Sequence, residues 1–99
     1  MAPRGTPPYQ VVIDEEARAE LLAIRVFYRR PIVQAVRALG FLAETETRNR
    51  KRLAAPLDLL PDATWECRVG SFRVLYRVDG RIARVLRVII KAGTTRKSI

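Results

Sequence analysis

The chain has 99 residues, a net charge of +9, one cysteine and no histidine, and 48% of its residues are hydrophobic. This length and composition are typical of one globular domain and exclude a disordered or fibrous chain. The cysteine and histidine counts exclude an intramolecular disulfide, a histidine-based nucleophile pair and a zinc site. No apolar run is long enough to span a membrane, and no apolar core follows the N-terminal arginine as in a signal peptide. Together with the single cysteine, this predicts a protein of the reducing cytoplasm. We expect no cofactor.

The N-terminal residues 1–8 include two adjacent prolines and a glycine, which predict a flexible tail. A single domain is expected over residues 9–93, followed by a short C-terminal tail at 94–99. The domain begins with a β-branched run at residues 9–13, which predicts a strand.

Two helices are predicted next. Apolar residues recur at three- and four-residue spacing over residues 14–28, and Asp14 is a suitable N-cap for this helix. Pro31 is expected to interrupt the helical pattern or to restart it, since proline is tolerated in a first turn. A second amphipathic helix then extends to Leu42. The short break between the helices predicts a helical hairpin.

The second half of the domain has a different period. Residues 44–63 show no regular pattern and predict an ordered loop. From Trp65 onward apolar and polar residues alternate, and Gly70-Ser71 and Asp79-Gly80 mark tight turns between three antiparallel strands. The fold predicted is therefore α+β with the order β-α-α-β-β-β. The two-helix hairpin packs on one face of an antiparallel sheet, and arginines occupy the open face.

The excess positive charge lies entirely in the second half of the chain. Residues 1–46 carry six basic and six acidic residues, whereas residues 47–99 carry thirteen basic and four acidic ones. This asymmetry predicts a polyanionic partner, either a nucleic acid or an acidic protein segment. The alternative is a solvated basic surface without a partner.

Two segments of this basic half carry a family resemblance. The stretch WECRVGSFRVLYRVD at residues 65–79 resembles the W-x-L-R-V-G-x-Y-R-V-x-Y-x-V-D motif of toxins of the RelE/ParE superfamily, with Cys67 in place of leucine and Phe72 in place of tyrosine. The stretch TRNRKRL at 47–53 is similar to the T-R-N-R-K-x-L of one RelE-like branch. Residues 88–93, VIIKAG, approximate the V-x-K-x-G that often ends the last strand of that branch.

The resemblance implies a RelE-like fold and the toxin component of a type II toxin–antitoxin system. In the RelE branch such a toxin inhibits translation by ribosome-dependent mRNA cleavage, in which a 2′-hydroxyl attacks the adjacent phosphate. The implied partners are a cognate antitoxin, mRNA and the ribosome, but no membrane. The oligomeric state stays open, with a heterotetramer with the antitoxin as one arrangement. Two alternatives remain, which are a ParE-like inhibitor of DNA gyrase and a non-catalytic binding module with the same fold.

The resemblance also implies catalytic residues. Arg73 matches the arginine of the family motif, and it is the residue expected to stabilise negative charge on the phosphate. Arg68 lies on the preceding strand and is expected to reach the same face. Lys91 is the expected proton donor, because arginine, with a pKa above about 12, is a poor acid or base. Glu66 departs from the family pattern, since RelE-type enzymes usually carry lysines on this strand. The alternative for both arginines is an ordinary ion pair with Glu66 or Asp79.

Other residues are expected to contact partners or the core. Four basic residues of the loop are expected to contact RNA phosphates without reading bases: Arg48, Arg50, Lys51 and Arg52. An aliphatic patch is expected either to bind the antitoxin or to close the core: Leu57, Leu59 and Leu60. Trp65 and Tyr76 are expected in the core. Arg84 and Arg87 are three apart on a strand and are expected on opposite faces.

Overall fold

A computed structural model describes residues 6–58 and 60–90, which form two helices and one five-stranded sheet. The elements in chain order are β1 (Gln10–Ile13), α1 (Glu15–Ala23), α2 (Val26–Leu42), β2 (Arg50–Arg52), β3 (Trp65–Val69), β4 (Phe72–Asp79) and β5 (Ile82–Ile90). The predicted α+β order is confirmed, and β2 is added to it. Most of the two expected tails lies outside the described residues. Neither described helix is long and apolar enough to cross a bilayer.

The sheet is mixed, with the strand order β1-β5-β4-β3-β2. Strands β2 to β5 are antiparallel neighbours, and Gly70 and Gly80 adopt φ angles of 58° and 60° in the two tight turns that the sequence predicted. Strand β1 pairs with β5 in parallel, so the expectation of a wholly antiparallel sheet is corrected. No tight turn joins β1 to β5, and a long connection of this kind permits parallel pairing.

Strand β2 lies within the segment predicted as a loop. Its three residues pair with β3, with Arg50 opposite Cys67 and Arg52 opposite Trp65. Because all three side chains are basic, the strand has no alternation of apolar and polar residues that a sequence pattern could reveal.

The first helix is shorter than predicted. The apolar pattern predicted a helix over 14–28, but α1 ends at Ala23 and Ile24 has extended backbone angles, φ −85° and ψ 139°. Arg29 stabilises this break, because its guanidinium donates to the carbonyl oxygens of Ile24 at 2.9 Å and Leu22 at 3.3 Å. The guanidinium thereby satisfies carbonyls that the end of α1 leaves without intrahelical donors.

Pro31 lies inside α2 rather than at a break between helices. It lies just beyond the first turn, whose N–H groups have no intrahelical acceptor in any helix. Because Pro31 has no N–H, α2 loses one hydrogen bond, the one to the carbonyl of Phe27 near the exposed start of the helix.

The core lies between the two helices and one face of the sheet. Helix α1 contributes Ala17 and Leu21, and α2 contributes Ile32, Val36 and Leu39. The sheet contributes Trp65, Cys67, Val74, Tyr76, Ala83, Val85 and Val88. Trp65 and Tyr76 are core residues as predicted, with their rings stacked at a centroid distance of 6.0 Å. The Tyr76 hydroxyl donates to the carbonyl of Ala43 at 2.6 Å, which ties the end of α2 to the sheet.

Burial of two ionisable core residues makes the stability of the fold depend on pH in the alkaline range. Desolvation raises the pKa of the Tyr76 hydroxyl, and it also raises the pKa of the Cys67 thiol. In the unfolded chain these groups ionise at about pH 10 and about pH 8.5, whereas in the folded protein each ionises at a higher pH. The unfolded state therefore binds fewer protons, and the free energy of unfolding falls as the pH rises through this range.

We predict that Tyr76→Phe lowers the free energy of unfolding by about 1–3 kcal/mol at pH 7, because the carbonyl of Ala43 loses its donor. The variant should also lose much of the decline above about pH 10 that the wild type shows. Urea unfolding at pH 7, 9 and 10.5 measures both effects. Parallel declines in the two proteins above pH 10 would contradict the buried, neutral Tyr76.

Candidate nucleic-acid interface

The outer face of the sheet, opposite the helices, carries arginines from three strands. An irregularity in the β4–β5 register places one extra residue, Leu86, in β5, so that Arg87 lies opposite Leu75 and Arg84 lies opposite Arg77. Arg84 and Arg87 consequently point to the same face. The expectation of opposite faces is wrong, because it assumed an unbroken two-residue period.

Arg68 and Arg73 are directly opposite each other on β3 and β4, as the sequence predicted for one shared face. Glu66 lies between them. Its Oε2 accepts from Nε of Arg68 at 2.7 Å, and its Oε1 accepts from a terminal nitrogen of Arg73 at 3.1 Å. The Glu66 side chain is only 7% exposed, whereas those of Arg73 and Arg68 are 23% and 46% exposed. One buried carboxylate thus joins two partly accessible guanidiniums.

The two arginines have one positive charge and one buried N–H donor more than Glu66 satisfies. Like charges directly opposite on neighbouring strands destabilise a sheet unless an anion separates them. The carboxylate of Glu66 supplies one negative charge for two positive ones. Within the described residues, the buried Nε of Arg73 also has no hydrogen-bond partner. The cluster of Glu66, Arg68 and Arg73, the arginine cluster, therefore has the charge and the donors to take a further anion.

The other outer-face arginines described here each have a carboxylate partner of their own. The pairs are Arg77 with Asp79 at 2.9 Å, Arg84 with Asp14 at 2.9 Å and Arg87 with Glu20 at 2.6 Å. Hydrogen bonds to Asp79 and Glu20 raise the pKa values of Arg77 and Arg87 respectively. Among these residues, only the arginine cluster shares one carboxylate between two guanidiniums.

The loop before β3 folds over part of the outer face. Leu57 and Leu60 are half-buried and line a cavity of about 440 Å³ together with Arg73 and Arg87. Leu75, on the floor of this cavity, is only 3% exposed. The outer face is therefore partly covered rather than left open. Leu59, which was predicted with the same patch, lies outside the described residues, as does Lys91.

The basic segment 48–52 divides between the two sides of the sheet. Arg48, Lys51 and Arg52 are exposed, and Lys51 lies opposite Glu66, beside the arginine cluster. Arg50 and Arg52 instead lie on the helix side of the sheet, because side chains alternate along β2, and Arg50 is only 7% exposed. The guanidinium of Arg52 lies 5.6 Å from the centre of the Trp65 ring. The structure therefore separates Arg50 and Arg52 from Lys51, although the sequence had placed all three on one RNA-binding surface.

The sequence did not predict that Glu66 joins Arg68 and Arg73. The sequence identified it as a departure from the family pattern and as an optional ion-pair partner. Its position two residues before Arg68, on the same face of the strand, was the available signal. The described residues contain no cluster of side chains that could hold a metal ion.

Solved toxin structures share this architecture. A chain of the RelE–RelB complex from Pyrococcus horikoshii matches with a TM-score of 0.69 and 17% identity, covering 87% of this chain and 98% of that one. The ParDE system of P. aeruginosa matches with a TM-score of 0.61 and 20% identity over 84% and 96%. A RelBE toxin–antitoxin complex from Mycobacterium tuberculosis matches with a TM-score of 0.55 and 30% identity over 84% and 98%. No curated protein sequence matches the chain.

The fold is therefore that of RelE/ParE toxins, which confirms the resemblance seen in the sequence. The family model for the ParE toxin of type II toxin–antitoxin systems, parDE, matches residues 11–92. The chain belongs to this family and is a toxin of a type II toxin–antitoxin system.

We predict that Glu66→Gln exposes the anion-binding capacity of the arginine cluster. Loss of the charge should lower the free energy of unfolding by about 1–3 kcal/mol, because charge-assisted hydrogen bonds become neutral ones. Inorganic phosphate should then raise the melting temperature of Glu66→Gln more than that of the wild type, at matched ionic strength. Asp79→Asn is the control, since it removes a carboxylate that serves one arginine. An equal response to phosphate in all three proteins would contradict the anion site.

Proposed function

We propose that this toxin inhibits translation by cleaving mRNA on the ribosome, and that the arginine cluster holds the scissile phosphate. The observation that carries the proposal is the one buried carboxylate shared by two guanidiniums. A phosphate group is a stronger partner for two arginines than half a carboxylate, because its two non-bridging oxygens can accept charge-assisted bonds from both guanidiniums. In the proposed complex, the RNA phosphate takes over part of the role of Glu66.

The proposed reaction uses the residues around that phosphate. The 2′-hydroxyl of the RNA attacks the adjacent phosphorus, and the bond to the 5′-oxygen breaks, leaving a 2′,3′-cyclic phosphate. Arg73 and Arg68 stabilise the charge that develops on the phosphate oxygens. Glu66, released by the phosphate, accepts the proton of the 2′-hydroxyl. Lys91, which directly follows β5 in the chain, is the proposed donor to the leaving 5′-oxygen.

The message is proposed to approach along the exposed basic segment. Lys51 adjoins the arginine cluster across β2 and β3, and the exposed Arg48 precedes it in the sequence. Such contacts to phosphates position a strand without reading its bases. Arg52 lies on the other face of β2, over the Trp65 ring, and takes no part in this path. Arg50 takes no part in this surface because it is buried.

A cognate antitoxin is the proposed protein partner. The solved relatives include toxin–antitoxin complexes, and the net charge of +9 favours an acidic partner. The rim formed by Leu57 and Leu60 beside Arg73 and Arg87 offers aliphatic and cationic contacts together. An antitoxin segment with aliphatic and acidic side chains would cover the arginine cluster from this rim.

Inhibition of DNA gyrase is the second candidate. Two observations favour it. The matching family model is that of ParE toxins. In addition, the chain has no histidine, and Tyr76 is buried in the core rather than on the outer face. A gyrase inhibitor needs no proton-transfer groups, so this candidate accounts for their scarcity.

The two candidates are separated by measuring mRNA cleavage and gyrase activity with the same purified variants. We predict ribosome-dependent cleavage of a translated message by the wild type, reduced about 10²–10³-fold by Arg73→Ala. Arg73→Lys should recover little, because a lysine cannot donate in bidentate geometry. Arg77→Ala is the matched control, since Arg77 lies on the same strand and face but has its own carboxylate partner.

Circular dichroism and thermal melting establish that each variant is folded before its activity is compared. Intact mRNA together with toxin-dependent DNA breaks by gyrase would replace the proposal with the second candidate. Absence of both activities in folded wild-type protein would leave a non-catalytic binding module.

A further inference from the structure

A second surface, on the helix side of the sheet and away from the arginine cluster, carries a stripe of exposed side chains. Helix α2 presents Phe27, Arg30, Gln34, Arg37 and Phe41 at alternating three- and four-residue spacing, and all five are exposed. The phenylalanines are the most notable, because Phe27 is 78% and Phe41 is 50% exposed. The stripe, hereafter the α2 seam, lies opposite the buried face of the helix.

The spacing of the α2 seam is that of a helix that packs along another helix. Alternating steps of three and four residues keep successive side chains in line with a neighbouring helix. The seam spans about 21 Å, at a rise of about 1.5 Å per residue. Isolated exposed apolar residues need no explanation, but two aromatic rings at the ends of one aligned stripe do.

The charge of the α2 seam restricts its partner. Helix α2 contains three arginines and no acidic residue. A cavity of about 440 Å³ runs beside the seam, lined by Val26, Arg29, Arg30, Val33, Gln34 and Arg37. Valine and guanidinium groups in one groove suit a side-chain set that is both aliphatic and acidic.

The sequence of the seam disfavours a second copy of this chain as the partner. Read from either end it is Phe-Arg-Gln-Arg-Phe. An antiparallel pair of seams centred on Gln34 would place Arg30 against Arg37 of the other copy, and a parallel pair would place each arginine against its equivalent. Both arrangements bring like charges together in a desolvated contact.

We propose that the α2 seam is a docking surface for an acidic amphipathic helix of another protein. That helix carries aliphatic residues opposite Phe27 and Phe41 and carboxylates opposite Arg30 and Arg37. Nucleic acid fits less well, since an RNA backbone would leave the aliphatic groove uncovered. The proposal does not depend on mRNA cleavage, because it involves no residue of the arginine cluster.

The test uses a designed probe. A fluorescent helical peptide of about 18 residues carries leucines at the two outer seam-facing positions and glutamates at the inner charged ones. We expect it to bind the wild-type protein and to bind Arg30→Glu and Arg37→Glu at least tenfold more weakly by fluorescence anisotropy. Arg18→Glu, on the exposed surface of α1, changes the net charge equally and should bind as the wild type does.

A charge-reversed probe, with lysines in place of the glutamates, separates specific docking from general electrostatics. It should bind the double variant Arg30→Glu/Arg37→Glu and not the wild type. Phe27→Ala/Phe41→Ala should weaken the original probe at least tenfold while salt dependence stays the same. An equal loss of probe binding in Arg18→Glu, or no rescue by the reversed probe, would overturn the proposal. So would a duplex RNA that binds the wild type more tightly than the probe and loses binding in Arg30→Glu.

Discussion

The outer face of this toxin depends on a single buried carboxylate. Without Glu66, the guanidiniums of Arg68 and Arg73 would face each other across β3 and β4 with no counter-charge. With it, both are held within hydrogen-bond distance, at 2.7 Å and 3.1 Å, in fixed positions. The same carboxylate leaves the cluster short of negative charge. The arrangement thereby combines a stable apo protein with a preformed site for an anion, since the guanidiniums need little reorganisation to receive one.

The one-sided packing of the sheet places this site. Both helices pack on one face, so the alternate side chains of β3, β4 and β5 must point to the other. The extra residue at Leu86 keeps Arg84 and Arg87 together on that outer face, where each pairs with an acidic residue near the start of the chain. The basic excess of the second half is therefore neutralised at these two positions. It remains available at the arginine cluster and at the neighbouring Lys51.

Features governed by local pattern were predictable, whereas features set by register were not. Alternation from Trp65 and the turns at Gly70 and Gly80 gave the three-stranded meander correctly, and the shared face of Arg68 and Arg73 followed from it. The bulge at Leu86 has no local signature, so the face of Arg87 was missed. Burial of Arg50 likewise depends on the pairing of β2 with β3. Three consecutive basic residues contain no pattern that predicts this pairing. The break after α1 is stabilised by Arg29, a side chain of α2. Helical periodicity does not predict such a contact.

The central claim is that the arginine cluster, rather than the outer face as a whole, receives an RNA phosphate. Nitrogen-15 NMR of the arginine side chains, during titration with a short single-stranded RNA, tests this directly. We predict that the Nε–H signals of Arg73 and Arg68 shift together and saturate. Those of Arg84 and Arg87 should change little, because their guanidiniums stay with Asp14 and Glu20. Uniform small shifts of all four signals, or shifts confined to Arg84 and Arg87, would contradict the account.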